Sequence, residues 1–453
     1  MGQAVKQGEL VQGRNTLFAR LAAIVFFSEL AHGMLLYGII PELLGSRTYT
    51  VFGFLHANGL EVAGYCLAAY VIAELVFKLP AGHLVDHHGP DVPLRVGLVV
   101  SLLTVPVILL ARDPHVRLLG AFLHGIGAAP IWPAVISSWT RGRSARERGE
   151  IMGQILTWWM AGLGLGLILG NVLVGFTGRA ELAVTYAPVA LWMVTVAASI
   201  WSRERLGYPA RHGMEEHELV DLSFRFPPAL QTMAIGLFIQ NLAFGSLILA
   251  FRELATTRLL IPDDPNTRWS TSILFAALVA LGGAPSVLLL GPMGKVADRI
   301  GQRNAVIYSM LVVAPLIGIG PFLAYLNVFP YSHLVRFAIM IPGLLVAAIA
   351  YALLLPAWHA LALGRIPEHQ RGRLLALLMS VEMVALAMGH VVGPAIYTKI
   401  DFRAPFVLAA VVFTVLALVY KMGYILPAEL HDEHHGTPHP APPPGGRTST
   451  VEP

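Results

Sequence analysis

Apolar runs of membrane-spanning length, repeated along nearly the whole chain, constrain the fold more than any other feature. The stretches 182–201 and 271–293 contain no Asp, Glu, Lys or Arg. About 20 consecutive apolar residues cross the hydrocarbon of a bilayer as one helix. Backbone groups in lipid must find partners within their own segment, which makes helices the expected form. Charged residues make up 13% of the chain, against about 25% in soluble domains. Too few polar groups remain to cover a water-facing surface, so the sequence predicts an all-α membrane protein.

Twelve runs qualify, at 17–40, 56–80, 93–111, 116–139, 151–177, 182–201, 229–251, 271–293, 304–326, 334–359, 372–397 and 405–426. The first follows a polar start without a small-residue cleavage site and reads as a retained helix, not a signal peptide. Arg141, Arg143, Arg146 and Arg148 crowd the segment between the fourth and fifth runs. The positive-inside rule puts that segment, and with it both termini, in the cytoplasm. The expected setting is the cell membrane, crossed many times. The single cysteine, Cys66, excludes an intrachain disulfide. A net charge of +4 is too small and too scattered to suggest nucleic acid.

Residues 202–228 form the longest polar stretch between runs, with Arg203, Arg205, Glu215, Glu216, Glu218 and the pair Pro227–Pro228. They read as a cytoplasmic linker, with a short amphipathic helix at 214–222, that divides the chain into six spans at 1–201 and six at 229–426. The His-, Pro- and Gly-rich tail at 427–453 lacks apolar periodicity and is expected to be disordered. His431, His434, His435 and His439 are assigned no metal. An internal repeat supports the division. Gly82, Asp86 and Gly89 stand between spans two and three, and Gly294, Asp298 and Gly301 between spans eight and nine, both in the pattern G-x-x-x-D-x-x-G. Arg299 and Arg303 accompany the second copy; His87, His88, Pro90 and Asp91 stand around the end of the first. This pair resembles the signature loop of the major facilitator superfamily. The resemblance implies two six-helix halves that rock about a central site, with the two loops latching them on the cytoplasmic side.

No P-loop, H-E-x-x-H or G-x-S-x-G occurs, so neither an ATP-driven pump nor the commoner hydrolases find support, and no cofactor is implied. Ionisable groups inside the runs are the functional candidates, because they are costly in lipid. Glu29 and His32 share a face of span one, and Glu74 and Lys78 form an i, i+4 pair in span two. Glu29, His32 and Glu74 are the expected proton-coupling groups; an inter-helix salt bridge that merely fixes packing is the alternative. The second half is barer, with Gln240, Asn241, Glu382 and His390, and His390 and His124 read as packing residues. Leu249 is expected to line an apolar cavity there. Trp158 and Trp201 suit interfacial anchoring. Trp132, between Pro130 and Pro133, and Trp159 suit stacking on a substrate.

Several of these segments resemble one branch of the superfamily, the proton-coupled flippases that move the glycolipid anchor of lipoteichoic acid. They are Glu29-Leu-Ala-His32-Gly33-Met34, Ala73-Glu74, Pro130-Ile-Trp132, Trp159 with Gly162, Gly166 and Asn171, and Leu355-Pro-Ala-Trp358. The resemblance implies a hydrophilic first-half cavity for a sugar headgroup and an apolar second-half cavity for lipid tails. Glu29, His32, Glu74, Trp132, Trp159 and Trp358 then face the substrate. His32 stands where the family has Arg, and Glu74 where Asp is expected. The combined expectation is a proton-coupled transporter of an amphiphilic, glycolipid-like substrate and not an enzyme. A proton-linked efflux carrier for hydrophobic drugs is the runner-up. A transporter-like receptor or lipid-processing enzyme is the third reading, disfavoured by the paired loops.

Overall fold

The computed structural model describes residues 18–45, 47–140, 145–177, 182–201, 228–261, 270–326, 332–365 and 371–423. The linker and tail expected at 202–228 and 427–453 fall almost wholly outside that set. Among the described residues the chain folds into helices and one hairpin. The helices are α1 Phe18–Leu44, α2 Gly59–His88, α3 Asp91–Leu110, α4 Pro114–Trp139, α5 Ala145–Thr177 and α6 Leu182–Trp201. They continue as α7 Pro228–Leu254, α8 Ser270–Ile300, α9 Gln302–Ile319, α10 Ser332–Arg365, α11 Arg371–Lys399 and α12 Ala404–Lys421. Eleven of these are long and apolar enough to cross a membrane, and α6 carries a shorter apolar stretch, Ala187–Ser199. Large apolar side chains such as Leu103, Leu110 and Leu288 point outward. A surface of that kind suits lipid and not water.

The buried apolar side chains gather into two clusters, one centred on α1–α6 and one on α7–α12, here called the first and second halves. The halves meet along α2–α11 and α5–α8. Glycine sets how closely helices approach within and between them. On α5, Gly162, Gly166 and Gly170 recur every fourth residue and face the α1 backbone. A β-carbon at Gly166 would lie 2.2 Å from the Leu30 carbonyl oxygen. Gly64 of α2 faces α11 in the same way, against the His390 carbonyl.

The signature repeats are not loops. Gly82–His88 and Gly294–Ile300 form the last turns of α2 and α8. The helices end only at Gly89 and Gly301, whose φ angles of 79° and 85° are left-handed. Glycine adopts that conformation without a steric penalty and so stops the helix there. Arg303 donates to the Tyr420 and Lys421 carbonyls and so caps the C-terminus of α12. Asp298 and Arg299 are exposed at the end of α8. The Asp86 side chain lies outside the described set.

The opposite end of the bundle carries the hairpin, in which β1 (Thr48–Val51) pairs antiparallel with β2 (Leu55–Asn58). Phe52 and Gly53 make its turn with positive φ, and the Asn58 side chain caps α2 by accepting from Glu61 N at 2.9 Å. At the same end, Arg403 hydrogen-bonds the Asp401 carboxylate in the turn before α12 and holds it down at about 2. Polar contacts cross between the halves here. Arg252 of α7, almost fully buried, donates to Glu42 of α1 and to Asn171 of α5, each at 3.2 Å. Glu61 of α2 accepts from the Thr398 hydroxyl, and Lys399 Nζ lies 3.4 Å from its other oxygen. The hairpin end is thus clasped shut.

Gly166→Val would push α5 off α1. Overpacking of this kind costs typically about 1–3 kcal/mol. The expected outcome is a lower melting temperature, read by the reaction of buried Cys66 with a thiol dye on heating. An unchanged melting curve would mean that the α1–α5 approach is looser than described.

Candidate functional site

α1 brings the first two polar groups into the interior of the first half. Glu29 and His32 are one helical turn apart and buried, with His32 Nδ1 3.7 Å from Glu29 Oε2. A π-helical segment, Gly33–Ile39, begins directly after His32. Such wide turns break the regular α-helical hydrogen-bond ladder and often occur at functional positions. The Gly162 backbone of α5 packs against the Glu29 β-carbon, so no larger residue could sit there without moving the carboxylate.

α2 supplies the rest of a continuous polar chain. Tyr70, Glu74 and Lys78 recur every fourth residue and so share one face. The Tyr70 hydroxyl lies 3.4 Å from His32 Nε2, and Glu74 stands one turn further along the same face of α2. Glu74 Oε1 is 2.7 Å from Lys78 Nζ. Lys78 Nζ in turn reaches Met383 Sδ of α11, in the other half, at 3.6 Å. Glu29, His32, Tyr70, Glu74 and Lys78 therefore form one line that ends at the interface between the halves.

The donors and acceptors along this line leave one proton position open. His32 meets Tyr70 through Nε2, and with Nε2–H donated to the phenol oxygen its Nδ1 carries a lone pair. His32 Nδ1, left without a hydrogen-bond partner of its own, faces Glu29. A proton on either Nδ1 or the carboxyl makes that contact attractive, and two lone pairs make it repulsive. Charge leads to the same point. Lys78 compensates Glu74, while among the described residues no lysine or arginine pairs with Glu29, and an uncompensated charge in a dry interior is costly.

The aromatic residues divide between the halves. Trp132 and Trp159 come together, with ring centroids 6.3 Å apart at 65°, and Trp159 is one turn from Gly162 on α5. Trp158 is 40% exposed on the outer face, as an anchor would be. Trp358 is in the second half, where its indole donates to Gln240. It helps line a small cavity, with room for about one water, together with Met233, Leu237, His359, Leu378 and Glu382. The second half is therefore less bare than its sequence suggests, because Glu382 of α11 and His359 of α10 face one space. Leu249 does not line a cavity. It is buried among first-half residues, carried across the interface by α7. Sequence reasoning passed over Tyr70, whose i, i+4 spacing to Glu74 was available, and Arg252, whose partners are far away in sequence.

Comparison with known proteins agrees with this architecture. The family model described as Major Facilitator Superfamily matches residues 21–291 and 233–452. A curated relative from Staphylococcus epidermidis, the proton-coupled antiporter flippase LtaA, is 22% identical over 421 residues, covering 91% of this chain and 95% of its own. LtaA of Staphylococcus haemolyticus is 23% identical over 431 residues, covering 91% and 96%. Among solved structures, the nucleoside transporter NupG superposes with a TM-score of 0.64 at 15% identity, covering 90% of this chain and 99% of its own. The human organic anion transporter MFSD10 superposes with a TM-score of 0.59 at 16% identity, with the same coverage. At such identities the structural neighbours speak for the fold alone.

Tyr70→Phe removes the hydroxyl that joins the α1 and α2 groups. The expected outcome is a folded protein, with an unchanged Cys66 melting curve, in which proton-dependent activity in liposomes falls several-fold. Full activity in the variant would show that the line is not used as a unit.

Proposed function

This chain belongs to the Major Facilitator Superfamily, and from that premise we propose that it is a proton-coupled secondary transporter moving an amphiphilic, glycolipid-like substrate across the cytoplasmic membrane by alternating access. The observation that carries the proposal is the open proton position between Glu29 and His32. A buried carboxylate that lacks a permanent counter-ion binds a proton or binds a substrate group, and the exclusion of one by the other is what antiport requires. The paired Trp132 and Trp159 add ring surface in the same half, suited to one face of a sugar. The relatives named proton-coupled antiporter flippases support the same reading.

With both termini in the cytoplasm, the hairpin end faces outward and the signature turns face inward. The Arg252 and Glu61 clasps then seal the outer side, and the substrate reaches the site from the cytoplasmic side. On this reading the segment 202–228 tethers two halves that rock against each other, with 427–453 as a solvated tail. The turns at Gly82, Asp86, Gly89 and at Gly294, Asp298, Gly301 act as the latch when the inner side closes, with Arg299 on the exposed rim. Arg303 contributes by fixing α12 to the start of α9.

A second reading rests on the cavity of the second half. An apolar lining around Glu382 also suits a lipophilic cation, as an efflux carrier would need. Purified protein in liposomes separates the two. Labelled glycolipid should cross under a pH gradient, and a free disaccharide should compete with it. A lipophilic cation pumped well, with no competition by disaccharide, would replace the glycolipid reading by the second.

Glu29→Gln and Glu74→Gln should each fold and each lose most of the acidification-driven flux. Wild-type flux in both would reduce the pair to structural salt bridging. Asp298→Asn should slow turnover with little change in apparent affinity, because the latch lies outside the cavity. A large affinity loss at an unchanged maximal rate would count against it.

A further inference from the structure

We propose that His124 is a second seat for the coupling proton, so that His32 and His124 share one proton inside an aromatic cage. The inference deepens the proton-coupled reading above and rests on it only for its role in transport. The His32 ring is surrounded at short range. Ring centroids lie 5.0 Å away at His124, 5.1 Å at Trp192 and 5.2 Å at Tyr70, and His124 is itself 5.1 Å from Trp192. These residues come from α1, α2, α4 and α6, and His32, His124 and Trp192 are at most 2% exposed. Aromatic faces within about 6 Å attract a cation, which offsets part of the cost of an imidazolium in this dry interior.

In the tautomer we assign to His124, Nδ1 carries the hydrogen. Thr104 of α3 donates its hydroxyl proton to the Ser101 carbonyl at 2.9 Å. Its oxygen is then an acceptor, and His124 Nδ1, 3.2 Å away, carries the hydrogen that it accepts. Nε2 of His124 is left with a lone pair, buried and without a partner. Most buried polar atoms are paired, and an exception needs a reason. An acceptor held open beside a histidine that exchanges a proton has one. When the proton leaves His32 it is taken up at His124 Nε2. His124 then keeps Nδ1–H on Thr104, and His32 keeps Nε2–H on Tyr70.

Among the described residues, the other titratable or charged groups around the pair are Glu29 and Tyr37 from α1 and Tyr70, Glu74 and Lys78 from α2. From α3 and α6 the described neighbours are the neutral Thr104, Ser101 and Trp192. α5 presents Gly162 to Glu29. Two imidazolium rings at 5.0 Å would repel each other in a dry interior, which limits the pair to one proton. The second seat receives the proton as a substrate group engages Glu29, on the way to its release from the protein.

Trp192 touches both rings and provides a readout independent of transport, since an imidazolium quenches the emission of an adjacent indole. The experiment is a pH titration of purified protein by tryptophan fluorescence, from about pH 4 to 9, with the Trp192→Phe trace subtracted. A quenching step is expected in the wild type. It should survive in His32→Gln, through His124, and in His124→Asn, through His32, and vanish in the double variant. Asn is chosen because its amide can still donate to Thr104 while Nε2 is absent. Should His124→Asn not fold by the Cys66 melting test, wild type against His32→Gln decides alone. Loss of the step in either single variant, or no step in the wild type, overturns the shared seat. A step lost only in His32→Gln removes the second seat and leaves proton coupling standing. Steps as expected but no pH-driven flux would remove the coupling reading and leave the shared proton.

Discussion

Glu29 is a buried carboxylate with no lysine or arginine paired to it among the described residues, and the organisation of the first half follows from accommodating it. Glu74 is matched at 2.7 Å by Lys78. Glu29 faces only His32, at 3.7 Å, and that contact is favourable in one protonation state alone. A permanent cation at position 32 would keep the pair closed at all pH values; the imidazole makes closure conditional on a proton. On the proposed reading, His32 ties the charge state of the site to the proton supply.

Close backbone packing makes the arrangement possible. The glycine series on α5 brings α1 near enough that Gly162 abuts the Glu29 β-carbon, and the π-helical segment after His32 shifts the helix register at that point. The same economy of side chains joins the halves, with Gly64 against the His390 carbonyl and the Arg252 clasp to Glu42 and Asn171 above it. Lys78, reaching Met383, links the polar line to the interface that must rearrange when the halves rock. A change of charge at Glu29 and a change of packing at α2–α11 are therefore separated by only a few side chains.

Much of this was legible in the sequence, for reasons that can be named. Run length and the absence of charge revealed the spans, and the G-x-x-x-D-x-x-G repeat exposed the relation between halves. The burial of Glu29, His32 and Glu74 followed from the cost of charge in lipid. The repeat was read as loop from its likeness to a signature loop, whereas the helices run on to Gly89 and Gly301, whose positive φ ends them. The hairpin at Thr48–Asn58 went unseen because its short strands have no apolar alternation of useful length. His124 read as packing and Trp192 drew no notice, since nothing within α4 or α6 shows that their side chains meet His32. Contacts between helices distant in sequence, such as Arg252 with Glu42, leave no local pattern at all.

The central claim is that one proton occupies the Glu29–His32 position and is exchanged against substrate. Calorimetry of a disaccharide-headed glycolipid binding to the protein in nanodiscs, repeated in buffers of different ionisation enthalpy, tests it directly. The account predicts a heat that varies linearly with buffer ionisation enthalpy, with a slope of about one proton released per bound lipid near neutral pH. Binding whose heat is the same in every buffer would contradict it.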